Sequence, residues 1–159
     1  MVIKVGDKLP NAIVYEKSPK NQLNIADVFI GRRGVLFAVP GAFTPGCRFK
    51  HLPGYVKDYN AIKAKGIDII ACVAVNDPFV MDAFGKDGGA DGKIRMLADP
   101  DCSFTKSIGM DIEMSKAMGG CRSKRYSMLI EDGIVKHINV EPDGFSITCS
   151  TSTEILSKI

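Results

Sequence analysis

Val35-Leu36-Phe37-Ala38-Val39-Pro40-Gly41-Ala42-Phe43-Thr44-Pro45-Gly46-Cys47 decides the fold, because it runs from a strand into a helix that begins at a cysteine. Residues 35–39 are short and apolar, bounded by Gly31-Arg32-Arg33-Gly34 and Pro40-Gly41, which reads as a strand inside a sheet. Thr44 ahead of Pro45 reads as a helix N-cap with proline in the first helical position. Cys47 then takes the third position, facing the unpaired amides and the positive end of the helix dipole, which favour thiolate over thiol. In such settings a cysteine pKa falls from about 8.5 to roughly 3.5–7.5, and the nucleophilic form becomes the major one at neutral pH. The bland alternative is a small buried hydrophobe; the Thr-Pro-Gly-Cys context argues against it.

Downstream, Leu52, Tyr55, Val56, Tyr59 and Ile62 recur at helical spacing, with Gly66 as the stop. Pro53 inside this run lacks an amide proton and disfavours helical Leu52, so a kink or break is expected there. Ile67–Val75 is a second buried strand. Asp77 and Pro78 open another helix, and Ile94–Leu97 is a third strand. A strand, a helix and a parallel strand form a right-handed crossover unit, which brings Cys47 to one edge of the sheet. The glycine-rich Gly85–Gly92 reads as a mobile connection and matches no phosphate-binding pattern.

Asp132-Gly133 between Tyr126–Glu131 and Ile134–Val140 is a strong hairpin signal. Thr151-x-x-Glu154 is a capping box for a short last helix. Residues 1–30 read as a small hairpin-like opening that turns over Lys17–Asn21. The pattern as a whole predicts an α/β fold: a thioredoxin-like three-layer sandwich, its mixed sheet carrying an antiparallel hairpin.

The chain has 159 residues, 45% hydrophobic, enough for one core, so residues 1–159 are expected to form a single domain. A net charge of +3 with 25% charged residues offers no basic stripe for nucleic acid. The first residues lack the apolar core of a signal peptide and no stretch suits a membrane span, so a soluble, intracellular protein is expected. Five cysteines, Cys47, Cys72, Cys102, Cys121 and Cys149, without a Cys-x-x-Cys pair, do not form a secreted disulfide framework. With His51 and His137 the only histidines, they do not form a zinc site either.

Pro40-x-x-x-Thr44-x-x-Cys47 resembles the signature of the peroxiredoxins. Gly41–Cys47, His51-Leu-Pro-Gly54, Leu97-Ala-Asp-Pro100, Asp132–Lys136 and Asn139–Gly144 resemble the peroxiredoxin-5 type in particular, over nearly the whole chain. The resemblance implies a thiol peroxidase that reduces hydrogen peroxide and organic hydroperoxides through a sulfenic acid on Cys47, with no cofactor or metal. It implies that Thr44 hydrogen-bonds thiolate and peroxide, that Pro40 walls the pocket and that Arg125 sets a fixed charge beside the sulfur. It implies further that Cys149 resolves the sulfenic acid as a disulfide, which thioredoxin then reduces. Spacing alone does not show that Cys47 and Cys149 can meet. Without the resemblance, Arg125 reads as a solvated charge.

Cys72, mid-strand among valines, reads as inert core. Cys102 and Cys121 have no role in the resemblance, and Cys121 reads as a competing thiol or a loop residue. His51, one turn after Cys47, is expected to pack or hydrogen-bond rather than to act as a base. Two other readings stay open: an acyl-transfer Cys47–His51 dyad, and a redox-controlled interaction protein. Family members pair around the reactive helix, which raises a homodimer. The cytoplasm is the expected compartment, with mitochondrion and peroxisome as alternatives, since Ser157-Lys158-Ile159 resembles a degraded peroxisomal address.

Overall fold

The computed structural model describes residues 1–159. In chain order the elements are β1 (Ile13–Glu16), β2 (Ser18–Asn24), α1 (Ile25–Phe29), β3 (Arg33–Ala38), a π-helical turn (Cys47–His51), α2 (Leu52–Lys57), α3 (Tyr59–Ala64), β4 (Ile69–Ala74) and α4 (Pro78–Asp87). They continue with β5 (Arg95–Ala98), α5 (Ser103–Ser107), β6 (Asp111–Met114), α6 (Ser115–Met118), β7 (Gly120–Ser123), β8 (Tyr126–Glu131), β9 (Ile134–Val140) and α7 (Ser152–Leu156). Seven strands form one sheet in the order β2-β1-β5-β4-β3-β8-β9, and β6 and β7 form a separate ribbon. The central strands β3, β4 and β5 are parallel, while β1 and β8 flank them antiparallel.

The side-chain period of two divides the central strands between two cores. Leu36 and Ala38 face α1 and α5 in a cluster with Phe29 and Phe104. Val35, Phe37 and Val39 face the other way, into a cluster with Leu52, Tyr55, Ile62, Phe84, Ile155 and Cys47 itself. Apolar burial on both faces is what parallel strands between helical layers require. The result is the predicted three-layer α/β sandwich with its mixed sheet. The hairpin turns where expected, Asp132 and Gly133 both having positive φ (49° and 77°).

Three local expectations need correction. The opening hairpin turns at Lys17 alone, held at φ 69°, and β2 begins at Ser18, so the Pro19-Lys20-Asn21 turn signal lies in an edge strand. Gly85 is no part of a mobile loop: it is a buried position of α4, where a Cβ would fall 2.5 Å from Met96 Cγ. It is glycine so that helix and strand can approach. Cys102 and Cys121, without a role in the resemblance, are joined in a disulfide with Cα atoms 6.5 Å apart that ties the segment after β5 to β7, so Cys121 is neither a competing thiol nor a loop residue. Closing a loop over a sequence separation of 19 stabilises a fold by about 3 kcal/mol. Cys121→Ser is therefore expected to unfold at distinctly lower urea than the oxidised protein, and reduced wild type should match the variant.

The break foreseen at Pro53 has a definite form. Pro53 cannot return an amide to Phe49 O, and the chain answers with a wider turn in which the Leu52 amide donates to Cys47 O. Regular helix resumes at Leu52 and ends at Asp58, whose carboxylate accepts from Ser152 Oγ at 2.7 Å and so ties the far end of α2 to α7.

Candidate active site

Between the end of β3 and Cys47 the chain makes a tight turn that is held from outside. Pro40 is buried, the Ala42 amide donates to Asn76 Oδ1 at 2.9 Å, and the Thr44 amide closes on Gly41 O at 3.3 Å. Phe43 sits in the left-handed region at φ 66°, its ring edge-on to Phe84. Such strain in a non-glycine residue persists only where its surroundings over-determine it. Pro45 and Gly46 are helical, so Cys47 stands third in the helix as expected, fully buried. Thr44 does not cap it by side chain: its hydroxyl donates instead to Gly41 O at 2.9 Å, and no side chain caps this helix start. With its single proton committed to Gly41 O, the Thr44 hydroxyl has none to give the Cys47 thiolate, so the hydrogen bond to the thiolate that the resemblance implies is not made in this structure.

Arg125 lies just ahead of β8 and is 4% exposed. Its guanidinium spends three nitrogens on three partners: Nη2 donates to Cys47 Sγ at 3.2 Å, Nη1 to His51 Nδ1 at 2.9 Å and Nε to Phe145 O at 2.9 Å. A planar fork fixed at three points cannot swing away from the sulfur. His51, in turn, has Nε2 2.9 Å from Ser150 O. A carbonyl only accepts and a guanidinium only donates, so the proton is on Nε2 and the ring is neutral. Tyr55 stacks on Phe37 at 3.9 Å and donates to the same Ser150 O at 2.8 Å.

The electrostatics agree with this tautomer. Burial, then the Arg125 charge, lower the His51 pKa from 6.5 to about 3, against the pull of the Ser150 carbonyl. With both nitrogens engaged and so low a basicity, His51 is not a base for Cys47, and the acyl-transfer dyad is set aside. Glu141, 1% exposed, is held at about 2 rather than 4.5: burial would raise it, but hydrogen bonds from Ser150 and Thr148 prevail. Both shifts have the same sign for stability. The unfolded chain takes up these protons below pH 6.5 and 4.5, whereas the folded one resists until about 3 and 2. The urea midpoint is thus expected to hold above pH 6.5 and fall steadily below it. His51 alone accounts for about 5 kcal/mol across its window. In His51→Asn the part of the decline between pH 6.5 and 4.5 that His51 causes should vanish, leaving that of His137, whose pKa is also lowered by burial and by the Lys158 charge.

The remaining cysteines are placed as follows. Cys72, fully buried on β4 in the same cluster as Cys47, is a thiol that burial pushes up, in keeping with inert core. Cys149 is half-buried and free, its Sγ 3.5 Å from Val140 O, and Cys47 is free as well. The disulfide that the resemblance implies between them is not formed in this structure. The structure brings Cys47 and Arg125 into contact and places Pro40 and Thr44 on the adjoining turn, while Cys149 hangs on a separate loop, residues 141–150. Sequence reasoning missed Asn76, Glu141 and Ser150. The run Thr148-Cys149-Ser150 after a buried glutamate is a signal only once the loop is seen to fold back.

The redoxin family profile matches residues 4–156. Peroxiredoxin-2E-2, chloroplastic, of Oryza sativa subsp. japonica is 43% identical, over 99% of this chain and 72% of its own length. Among solved structures, reduced Prx3 in complex with hydrogen peroxide from Vibrio vulnificus superposes with a TM-score of 0.91 at 44% identity, covering 99% of both chains. Peroxiredoxin 5 from Alvinella pompejana superposes at 0.89 with 46% identity, covering 98% of this chain and 96% of its own.

Proposed function

Because the chain belongs to the redoxin family, and within it to the peroxiredoxins, we propose that Cys47 is its peroxidatic thiol and Arg125, Thr44 and Pro40 the groups that make it react. The chain is a thiol peroxidase with an antioxidant function, an oxidoreductase. The observation that carries the assignment of residues is Arg125 Nη2 at 3.2 Å from the buried Cys47 sulfur.

The Cys47 thiolate attacks one oxygen of the hydroperoxide in line with the O–O bond. An S–O bond forms and the O–O bond breaks; the proton of the attacked oxygen passes to the departing alkoxide or hydroxide, which leaves as alcohol or water, and the sulfenate left on Cys47 is protonated by solvent to the sulfenic acid. Arg125 stabilises the thiolate before the step and the charge on the leaving oxygen during it, without itself exchanging a proton. The Thr44 oxygen accepts a hydrogen bond from the hydroperoxide O–H and so orients the substrate. Pro40 closes the pocket against bulk water, which keeps these interactions in a low dielectric.

Cys149 then attacks the sulfenic acid: an S–S bond forms to Cys47 and water leaves. Thioredoxin reduces that disulfide by thiol exchange and returns both thiols. The chemistry needs sulfur alone and no cofactor. We place it in one domain, residues 1–159, acting inside the cell, as relatives named chloroplastic and mitochondrial do. The exposed rings of Phe43, Phe49, Phe79 and Phe145 lie on segments that border the site and favour a homodimer through that face.

The assignment of Cys149 is tested by NADPH oxidation in the presence of thioredoxin, its reductase and hydrogen peroxide. Wild type is expected to turn over; Cys149→Ser should lose turnover yet consume one equivalent of peroxide. Sustained thioredoxin-driven turnover by Cys149→Ser would show that another thiol resolves.

A further inference from the structure

Glu141 is a buried carboxylate with no basic partner, and such a charge persists only if hydrogen bonds replace its hydration. Five donors do so. Oε2 accepts the amides of Thr148, Cys149 and Ser150, each at 2.9 Å, and the Ser150 hydroxyl at 2.6 Å; Oε1 accepts the Thr148 hydroxyl at 2.5 Å. Three successive amides aimed at one anion form a concave nest that fixes the backbone of residues 148–150. The same glutamate donates its own amide to Arg125 O at 3.0 Å, and the Arg125 amide donates to Gly144 O at 2.9 Å. Loop 141–150 is thus clamped to the Arg125 backbone at one end and to the Glu141 carboxylate at the other.

What the clamp presents is the site's outer support. With its amide and hydroxyl turned to Glu141, Ser150 offers its carbonyl to His51 Nε2 and Tyr55 Oη; Phe145 offers its carbonyl to Arg125 Nε. A continuous path of hydrogen bonds runs from Glu141 through Ser150, His51 and Arg125 to Cys47 Sγ. Cys149 is in the same nest. A move of Cys149 toward Cys47 pulls on its amide bond to Glu141 and on Ser150, whose carbonyl sets the His51 ring.

We propose that Glu141 is a positioning residue with two opposed effects: it holds Arg125 on the Cys47 thiolate for the peroxide step, and it restrains Cys149 from the disulfide step that follows. The second effect rests on Cys149 being the resolving thiol; the first does not. Once Cys47 is a sulfenic acid the demand for a fixed cation beside it falls, and release of the 148–150 backbone frees Cys149 while dropping the brace on Arg125. The site is then reset only when the disulfide is reduced and the nest re-forms.

The test is a single turnover without reductant: rapid mixing with hydrogen peroxide, quenching at intervals, alkylation, and mass spectrometry of the Cys47 sulfenic acid and of the Cys47–Cys149 disulfide. Glu141→Gln keeps the shape and removes the charge, weakening several charge-assisted bonds at once. Sulfenic acid formation is expected to slow about tenfold and its conversion to disulfide to quicken several-fold. Glu141→Asp, charged but shorter, should recover part of both effects. Opposite signs are the mark of the clamp, since a merely structural role would slow both steps together with a loss of melting temperature. Both rates unchanged, or both lowered, would overturn the proposal. In the Cys149→Ser background, Glu141→Gln should still slow sulfenic acid formation. An unaltered rate there sinks the path to Cys47, whereas disulfide to Cys47 persisting in Cys149→Ser sinks the resolving assignment alone.

Discussion

Cys47→Ser is expected to consume no hydrogen peroxide, in a single turnover or with thioredoxin, although four other cysteines remain. The reason lies in where those four sit. Cys102 and Cys121 are spent on each other, and Cys72 is sealed in the core with its thiol pushed up by burial. Cys149 stands beside the Glu141 carboxylate, its thiol raised by partial burial and by that charge. Only Cys47 has a guanidinium in hydrogen-bond reach. A serine hydroxyl keeps the shape but supplies no anion near neutral pH, so stability should hardly change while peroxide loss, followed in a ferrous–dye assay, disappears. Residual consumption at the wild-type rate would move the reactive thiol elsewhere.

Arg125→Leu has the second largest expected effect. Removing a preorganised donor from charge developing in a buried site costs about 2.7–4 kcal/mol, so kcat/KM for peroxide should fall about 10²–10³-fold. Arg125→Lys should recover little of it. An ammonium is a point charge on a flexible stem and cannot serve Cys47, His51 and Phe145 at once. The loss of those bonds leaves a buried imidazole nitrogen and a carbonyl unpartnered, so Arg125→Leu should also be destabilised by about 1–3 kcal/mol. Activity must therefore be measured well below its melting temperature. A drop in kcat/KM of less than about tenfold would mean that the helix start alone activates the thiol.

Much of this arrangement was legible in the chain. Strand, turn and cysteine were read from Val35–Cys47 because each step has its own local signal: an apolar run, proline and glycine, then threonine before proline. The Asp77 cap and the Asp132-Gly133 turn were read for the same reason. Gly85 misled because a glycine demanded by close packing against Met96 looks, in one dimension, like a glycine in a loop. The Thr44 cap failed because Gly41 O, three residues back, competes for the hydroxyl, and the turn that creates this competitor is itself tertiary.

The least legible parts are those where one group serves distant ones. His51 reads in sequence as a helical residue that packs or hydrogen-bonds, but its partners, Arg125 74 positions away and Ser150 99 away, leave no local signal. Glu141 has no partner of opposite charge to betray it. Its partners are amides and hydroxyls of the residues that follow, which any surface loop also contains. The Cys102–Cys121 bond joins two elements whose proximity depends on the β6–β7 ribbon folding back over the end of β5. Such features belong to the folded chain and leave no periodic trace.

In the proposed mechanism one sulfur, Cys47, meets the peroxide. The most direct measurement adds one equivalent of hydrogen peroxide, with dimedone present, to protein whose Cys47 and Cys149 are thiols and whose Cys102–Cys121 bond is intact, and maps the adduct by peptide mass spectrometry. Dimedone is expected on the Cys47 peptide, in wild type and more abundantly in Cys149→Ser, with none on Cys72, Cys102, Cys121 or Cys149. An adduct on any other cysteine while Cys47 stays unmodified would contradict that mechanism.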